Sequence, residues 1–403
     1  MLSSSSPSVN NRAVPVKSCI FRGSFDGQIK QNAWGEHVQK QNFYSLEDYY
    51  GFVRIGDIIN VGCQDVEDCF EIPLEDFTKE DLIFLDTETT GLSGGMGTVP
   101  FVIGLGFFQG NQLVIKQYVM RDFDEEASML HDLADEIHER RVLVSFNGKA
   151  FDWPLLESRM MYHRIPCTAL GELHIDLLYP SRRIWKNKLD SCSLHFLESG
   201  ILKEEREDDI PGALIPSVYF QYLNDRDEAK MKRILKHNEK DILAMVALLI
   251  HIVRLYKDSS DEMKDPYELL SFARIFESRD IDRSISIYEK CIKISDKPEL
   301  VKEARKKLSL LYKRKKEYNY AVAQWEILSS RKDNMSILPL VELAKYYEHQ
   351  AKDYDRALSC VNKAIDILLK RPHGQMLSIK LNEIQHRKNR LLRKKGKKEK
   401  LCQ

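Results

Sequence analysis

Two carboxylates stand two residues apart at the end of an apolar run, in the sequence LIFLDTE that begins at Leu82. Residues i and i+2 of a β-strand point to the same face, so Asp86 and Glu88 are predicted to project together. Two anionic groups side by side at the end of a buried strand are costly unless cations neutralise them. Such oxygen donors suit Mg²⁺ or Mn²⁺. The pair therefore predicts a divalent metal site.

The D-x-E spacing alone is not informative, because it occurs three times in the chain. Asp124 and Glu126 lie where a helix is predicted to begin, and acidic residues are favoured in a first helical turn. Asp65 and Glu67 are predicted to lie in a polar turn. Only the pair at Asp86 directly ends an apolar strand pattern.

A second polar cluster, NGKAFD, follows the predicted buried strand VLVSFN (142–147) and contains Asn147 and Asp152. Ligand sites in such sheets collect at the carboxyl ends of the strands, so Asp152 is expected to approach Asp86 and Glu88. Two alternatives stay open. Asp152 is equally suited to be a helix N-cap, and Asn147 to be only a turn residue.

The third element is HNEKD (237–241), on the last helix predicted for the same region. Residues i and i+4 share a helix face, so Asp241 is expected to complete the carboxylate cluster with His237 one turn away. A neutral imidazole is a suitable general base near neutral pH. The same spacing also occurs at His131/Asp135 and His349/Asp353.

These residues are predicted to converge on one site with two divalent ions, Mg²⁺ or Mn²⁺. At such a site one ion activates water and the other stabilises the leaving oxygen of a phosphodiester. The predicted catalytic set is Asp86, Glu88, Asp152, His237 and Asp241. All of these except His237 are the predicted metal ligands.

The elements that must position this set follow from periodicity. Three consecutive strands are predicted, then helix, strand, helix, strand and helix; the first three strands are joined by short links and favour an antiparallel meander. The later crossovers favour parallel strands beside the first. This is the order of a ribonuclease-H-like α/β domain, a mixed five-stranded sheet with flanking helices. The predicted segments are 82–88, 99–108, 112–120, 124–139, 142–147, 151–163, 173–179 and 225–256.

The domain boundaries follow changes in composition. Residues 1–78 are predicted to be a partly disordered extension, loose to about residue 40. Residues 79–257 are predicted to form the α/β domain, and residues 265–403 an all-α domain of tetratricopeptide-like repeats with a basic tail. Small residues recur there 36 to 37 positions apart, at Ser284, Ala321 and Ala357. An irregular helical bundle is the alternative.

Composition fits a globular chain of 403 residues, with 43% hydrophobic and 30% charged residues. Lys+Arg and Asp+Glu are both 61, but residues 261–403 hold 33 basic and 21 acidic residues, a net of +12, which leaves −12 for residues 1–260. A basic half suits a polyanion. The start of the chain lacks the apolar core of a secretory signal, and Ile242–Tyr256 is too short to span a bilayer. We therefore expect a cytoplasmic protein without membrane contact.

The ordered set Asp-x-Glu, Asn-x-x-x-Phe-Asp and a helical Asp resembles the DEDD superfamily of 3′–5′ exonucleases. More closely, the chain resembles YprB-like bacterial proteins, which join a ribonuclease-H-like exonuclease domain to tetratricopeptide repeats. The segments that carry this resemblance are DTETTGLSGGMGTVPFVIGLG (86–106), SFNGKAFDWPLLESR (145–159), HIDLLYPSRRIWKNKL (174–189), EDDIPGALIPSVYFQYL (207–223) and HNEKD (237–241).

The resemblance implies metal-dependent hydrolysis of a nucleic-acid end, with release of nucleoside monophosphates. It maps the metal positions to Asp86, Glu88, Asp152 and Asp241. One departure concerns the base: the histidine branch has His five residues before the last Asp, whereas His237 lies four before Asp241. Three roles of His237 stay open: the general base, a residue that orients water, and a residue beside the site.

Contacts with an end-bearing DNA or RNA strand are predicted for six residues. These are Thr89, Leu92, Asn147, Arg182, Arg183 and Lys188. Basic residues hold phosphates while an aromatic ring such as Trp185 stacks on a base; the alternative is a solvated loop anchored by Trp185. The basic run 387–400 is a second candidate for phosphate binding, or else a solvated tail. The repeats are a candidate surface for a protein partner.

The function predicted from the sequence is a two-metal 3′–5′ exonuclease. The alternatives are a catalytically inactive, nuclease-like adaptor that acts through its repeats, and a structure-selective endonuclease that uses the same metals.

Overall fold

The computed structural model describes residues 23–91, 97–138, 140–166, 172–257, 263–330, 336–370 and 375–401. The chain divides into two compact units. The first consists of Met1–Leu177 and Leu197–Ile250, and the second of Leu178–Phe196 and His251–Gln403. A mixed sheet with flanking helices forms the first, and the second is helical, as predicted.

Nine strands lie among the described residues of the first unit. They are β1 (Gln28–Asn32), β2 (Gly35–Ser45), β3 (Tyr49–Tyr50), β4 (Val53–Arg54), β5 (Leu82–Thr89), β6 (Pro100–Gln109), β7 (Gln112–Val119), β8 (Val142–Ser145) and β9 (His174–Asp176). Seven of them form one sheet in the order β1-β2-β7-β6-β5-β8-β9, and β3 pairs with β4.

The centre of this sheet has the predicted topology. Strands β5, β6 and β7 form the antiparallel meander, and the β6–β7 turn passes through Gly110 at φ 56°, a left-handed conformation that glycine adopts without strain. Strand β8 lies parallel to β5, and β9 lies parallel to β8. Their carboxyl ends therefore meet at one edge, where the carboxylates were predicted to converge.

Strands β1 and β2 correct the expectation of a loose segment to about residue 40 and of only five strands. Strand β2 pairs along eight residues with β7, from Val38–Val119 to Ser45–Gln112. Its sequence, GEHVQKQNFYS, is mostly polar because few of its side chains face the core. A mostly polar strand lacks the period-2 alternation of apolar residues by which strands are recognised in a sequence.

Seven helices lie before, between and after the strands of the sheet along the described chain. They are α1 (Cys63–Phe70), α2 (Glu126–Ile137), α3 (Asp152–Tyr162), α4 (Leu178–Trp185), α5 (Leu194–Leu197), α6 (Ile215–Asp225) and α7 (Glu228–Lys257). Leu130 and Leu133 of α2, with Ile234 and Leu235 of α7, belong to a core cluster that also contains Ile103 of β6. Burial of these apolar faces stabilises the sheet–helix layers.

Only helices occur after α7 in the part of the chain that the structure describes. They are α8 (Pro266–Phe276), α9 (Ile281–Ile294), α10 (Pro298–Arg314), α11 (Tyr318–Ser330), α12 (Leu338–His349), α13 (Tyr354–Leu369) and α14 (Gln375–Leu401). Ser284, Ala321 and Ala357 are all fully buried, as small residues between close helices should be. Their assignment to tetratricopeptide-like repeats stays a prediction. Within the described ranges, no helix combines the length and apolar character that a bilayer crossing requires.

Candidate active site

Asp86 and Glu88 lie near the end of β5, after the buried run Leu82–Leu85. Asp86 is held by Asn238 of α7, whose side-chain Nδ2 donates to the Asp86 carboxylate at 2.8 Å and to its backbone oxygen at 3.2 Å. Asn238 is itself wholly buried, and its Oδ1 accepts a hydrogen bond from Gln117 of β7 at 2.9 Å. The orientation of Asp86 is therefore fixed by neighbours on two elements.

A glycine lets α7 come this close to the sheet. Gly104 of β6 lies opposite Asp86 in the β5–β6 register. A Cβ atom at Gly104 would lie 2.2 Å from Oδ1 of Asn238, which is closer than any normal contact. The absence of a side chain at this position thus allows Asn238 to reach Asp86.

Asp152 is the first residue of α3 and is not its N-cap. The N-cap is Phe151, which makes no side-chain cap hydrogen bond. The Asp152 carboxylate instead accepts a hydrogen bond from the Thr87 hydroxyl, on the strand that carries Asp86. Asp152 is 7% exposed, and the backbone N–H groups of Asp152 and Thr87 also bond to its carboxylate. The N-cap alternative is therefore wrong.

Asn147 adopts a left-handed turn conformation, with φ 67°, and is exposed. Asp176 of β9 accepts hydrogen bonds from the backbone N–H groups of Asn147 at 2.8 Å and Lys149 at 3.3 Å. Asp176 thus holds the loop between β8 and α3, which carries Asp152 at its end. Asn147 fits the turn-residue alternative, and its predicted contact with nucleic acid stays a prediction.

His237 and Asp241 lie one turn apart on α7, as their spacing predicts. Nε2 of His237 is 3.4 Å from Oδ2 of Asp241, and Nδ1 of His237 is 2.8 Å and 3.0 Å from the two carboxylate oxygens of Asp209. One ligand atom each of Glu88, His237 and Asp241 lie within 4.8 Å of one another. This geometry is compatible with a shared cation.

A buried arginine borders the same group. Arg206 has a side chain only 1% exposed and donates to Asp241, to Asp209 at 3.2 Å and to Glu198 at 3.0 Å. The hydroxyl of Tyr50 also donates to Glu198, and it thereby orients the carboxylate that binds Arg206. Burial alone would lower the pKa of Arg206, but Asp241 and Glu198 outweigh this effect and raise it, so the guanidinium stays charged.

The carboxylates of the site are held in an environment that disfavours their charges. Burial, followed by the charges of Asp241 and Asp152, raises the pKa of Asp86 well above its ordinary value. Burial and the charge of Asp86 do the same to the pKa of Glu88, and burial raises the pKa of Asp152 to about 6. Oxygen donors that repel one another in a buried site fit divalent cations, which would offset this cost.

Sequence reasoning missed Arg206, Asp209, Glu198 and Asn238. Arg206 and Asp209 lie between two short helical turns, Glu198–Leu202 and Gly212–Leu214. The sequence between these turns has no helix or strand periodicity. Only Asp209 had a signal in the sequence, because it belongs to the segment EDDIPGALIPSVYFQYL (207–223).

The predicted nucleic-acid contacts fall in different places. Thr89 is buried and donates to the backbone oxygen of Gly91 at 2.8 Å, whereas Leu92 lies outside the described residues. Arg182 and Arg183 are exposed on α4 of the second unit.

Lys188, also in the second unit, binds Glu268 at 2.7 Å and Asp265 at 3.1 Å. Trp185 is fully buried and donates to Glu268 at 3.0 Å, which fits the anchor alternative and not base stacking.

Comparison with known proteins agrees with this architecture. Residues 83–253 match the profile of the RNase_H superfamily. The Bacillus subtilis (strain 168) protein named "Uncharacterized protein YprB" is 34% identical over 292 residues, which cover 72% of this chain and 70% of that protein. The chain belongs to the YprB family.

In this YprB-family chain, the RNase_H superfamily region contains the carboxylate cluster together with Arg206 and His237. Membership of this superfamily indicates a nuclease-type domain that acts on nucleic acid.

Proposed function

We propose that the protein is a metal-dependent 3′–5′ exonuclease that hydrolyses phosphodiester bonds of DNA or RNA. The observation that carries this proposal is the convergence of four acidic side chains at one edge of the sheet, two of them with strongly raised pKa values. Such a cluster costs folding free energy, and a structural role would be served better by neutral side chains. Divalent cations explain why the chain retains it.

In the proposed site, Asp86, Glu88, Asp152 and Asp241 would hold two ions, Mg²⁺ or Mn²⁺. Bound divalent ions activate water and stabilise the leaving oxygen in phosphodiester hydrolysis. Asn238, Thr87 and Arg206 keep the carboxylates in place through the hydrogen bonds described above. Positioning of this kind limits the reorganisation that the reaction requires.

The proposal also includes the rest of the chain. Thr89, Asn147, Arg182, Arg183 and Lys188 are proposed contacts of the nucleic-acid strand. The helical unit that follows is proposed to bind substrate or a protein partner, because arrays of helix pairs present extended surfaces.

The test is degradation of 5′-labelled single-stranded DNA and RNA with Mg²⁺ or Mn²⁺. Wild type is compared with Asp86→Asn, which removes one charge at nearly constant volume. Asp124→Asn is the matched control, because Asp124 belongs to another D-x-E pair and is exposed. We expect metal-dependent, stepwise shortening of the labelled strand by wild type and the control, and a loss of about 10²–10³-fold for Asp86→Asn.

Three other outcomes would reject the proposal. Cleavage of a circular or end-blocked substrate at a comparable rate would establish the endonuclease. Equal activity in Asp86→Asn would remove the assigned site, and absence of cleavage in a folded protein that binds metal would favour the adaptor.

A further inference from the structure

The imidazole of His237 is held at one nitrogen and presents the other to the carboxylate cluster. Nδ1 lies 2.8 Å and 3.0 Å from the oxygens of Asp209 and 3.3 Å from Nη1 of Arg206. An ionised carboxylate only accepts hydrogen bonds, so the shorter contacts assign the hydrogen to Nδ1. In the neutral ring, the lone pair then lies on Nε2, the nitrogen that faces Asp241.

The spacing of His237 and Asp241 favours a shared ion. Residues i and i+4 of a helix point to the same side, and two histidines at this spacing bind one zinc ion in H-E-x-x-H helices. Bonds of about 2.1 Å to one metal place neighbouring donor atoms about 3.0–3.4 Å apart. The measured separation of Nε2 and Oδ2 is 3.4 Å.

Arg206 leaves one oxygen of Asp241 for this role. Its Nη2 donates to Oδ1, whereas Oδ2 faces the imidazole. Glu88, 8% exposed, supplies the third donor within the same 4.8 Å group. Each of the three residues therefore has one donor atom in this group. Asp209 binds the opposite nitrogen of His237, and Arg206 binds the other oxygen of Asp241.

We propose that Nε2 of His237 is a direct ligand of one ion, together with Glu88 and Asp241, and that this half of the site selects Mn²⁺ over Mg²⁺. This inference rests on the proposed function. Imidazole nitrogen suits first-row transition ions, the series to which Mn²⁺ belongs, whereas Mg²⁺ takes oxygen and water ligands. A nitrogen that coordinates a metal has no lone pair left for a proton, so His237 is not the general base.

The decisive measurement is pulsed electron paramagnetic resonance of the Mn²⁺-loaded full chain. A coordinated imidazole gives ¹⁴N modulation, which we expect in wild type and not in His237→Gln. His131→Gln is the matched control, since His131 also precedes an aspartate by four residues. The Mn²⁺ affinity of one site should fall about tenfold or more in His237→Gln, while Mg²⁺ affinity changes less than about threefold.

Two further measurements keep the inference falsifiable if His237→Gln folds poorly. Wild type with ¹⁵N-labelled histidine should replace the ¹⁴N modulation by that of ¹⁵N. Asp209→Asn should keep the modulation and weaken Mn²⁺ binding about tenfold, because Asp209 only orients the ring.

Mn²⁺ binding without nitrogen modulation, or modulation that persists in folded His237→Gln, would overturn the ligand assignment. Metal-dependent nuclease activity would in that case leave the proposed function standing. Absence of any Mn²⁺ binding would reject both.

Discussion

At the scale of single residues, Asp86 is subject to opposing effects. Burial and the charges of Asp241 and Asp152 raise its pKa, whereas the hydrogen bond from Asn238 and the charge of Arg206 act in the other direction. The raised pKa shows that burial and repulsion win. Without metal, these effects favour the neutral, protonated form of Asp86, whereas a bound cation would favour the carboxylate.

Replacement of Asn238 by Asp should make this imbalance worse at constant side-chain volume. A second carboxylate would then stand 2.8 Å from Asp86, in place of a donor. We expect the metal-free protein to lose about 2–4 kcal/mol of unfolding free energy, measured by urea denaturation. Added Mn²⁺ should recover part of the loss.

Asn224→Asp serves as the control, since Asn224 is exposed on α6. It should change the unfolding free energy by less than about 0.5 kcal/mol. Identical denaturation curves for Asn238→Asp and wild type would contradict the contact between Asn238 and Asp86.

The convergence of Asp86, Glu88 and Asp241 could be predicted because each position follows from a periodicity, two in a strand or four in a helix. Asp152 could be placed by its position after a strand, but its choice between cap and site needed the effect of its charge on the pKa values of Asp86 and Glu88. Arg206 could not be found, because irregular backbone carries no period and its partners are distant in sequence.

At the scale of elements, the site depends on how closely α7 approaches β6. Gly104 and Gly106 allow this approach, since a Cβ at Gly106 would lie 2.4 Å from Cγ2 of Ile242. Both glycines occupy the middle of a strand, where glycine has a conformational cost. Their presence therefore indicates that close packing at this place outweighs that cost.

Gly104→Ala should displace Asn238 and, through it, the Asp86 carboxylate. We expect a loss of about 1–3 kcal/mol in unfolding free energy, as for other overpacked cores, and weaker Mn²⁺ binding by calorimetry. Gly212→Ala is the control, because no atom lies within 4 Å of a Cβ there. Unchanged stability and metal binding in Gly104→Ala would mean that α7 adjusts without effect on the site.

Helix α14 contains the basic run 387–400 that was predicted to hold phosphates, and part of this run stabilises the fold. Glu348 of α12 is fully buried and binds Arg387, Arg390 and Lys394 at 2.7–2.8 Å. Burial alone would raise the pKa of Glu348, but hydrogen bonds from Arg390 and Lys394 outweigh it and lower the pKa to about 2.

The ion pairs between Glu348 and the basic side chains of α14 should make the packing of α14 sensitive to acid. A folded-state pKa below the ordinary 4.5 contributes stability above pH 4.5, and this contribution is lost as the pH falls towards 2. Glu348→Gln should therefore speed hydrogen exchange in α14 at pH 7, with a cost of about 1–2 kcal/mol because the cations are partly solvated.

The difference between Glu348→Gln and wild type should shrink at pH 3, because the carboxyl group of the unfolded wild type is protonated below pH 4.5 and that of the folded state is not. Glu383→Gln, a substitution on the exposed face of α14, is the control. A difference that is independent of pH would assign the effect of Glu348 to packing alone.

The elements that sequence analysis placed well are those with apolar periods, such as β5 to β7 and α7. Strand β2 was missed because its pairing with β7 depends on backbone hydrogen bonds, which side-chain patterns do not report. The segment 173–179 was expected to be one strand, but β9 ends at Asp176 and α4 begins at Leu178. Short apolar runs do not distinguish strand from helix.

At the scale of the whole molecule, the net charge of +12 in residues 261–403 overstates the charge available to a polyanion. Arg387, Arg390 and Lys394 bind Glu348, and Lys395 binds Asp355 at 2.5 Å. Arg393 and Lys397 are exposed on α14. Any contact of this helix with nucleic acid should therefore involve these exposed residues.

The double variant Arg393→Gln/Lys397→Gln should flatten the salt dependence of nucleic-acid binding. Each phosphate contact with a single strand contributes about 0.7 to the slope of log K against log salt, so the slope should fall by about 1.4. Fluorescence anisotropy at salt concentrations between about 50 and 300 mM measures this slope.

Arg356→Gln/Lys363→Gln removes the same charge from exposed positions of α13 and should leave the slope unchanged. If the two double variants have equal slopes, α14 does not hold phosphates.

The β1–β2 hairpin has a consequence for the life of the protein in the cell. Without it, β7 would expose a row of backbone groups flanked by apolar side chains, a template for aggregation between nascent copies. The strand that ends the sheet is instead β1, five residues long and polar. Because the hairpin precedes β7 in the chain, the ribosome releases the partner strand of β7 before β7 itself.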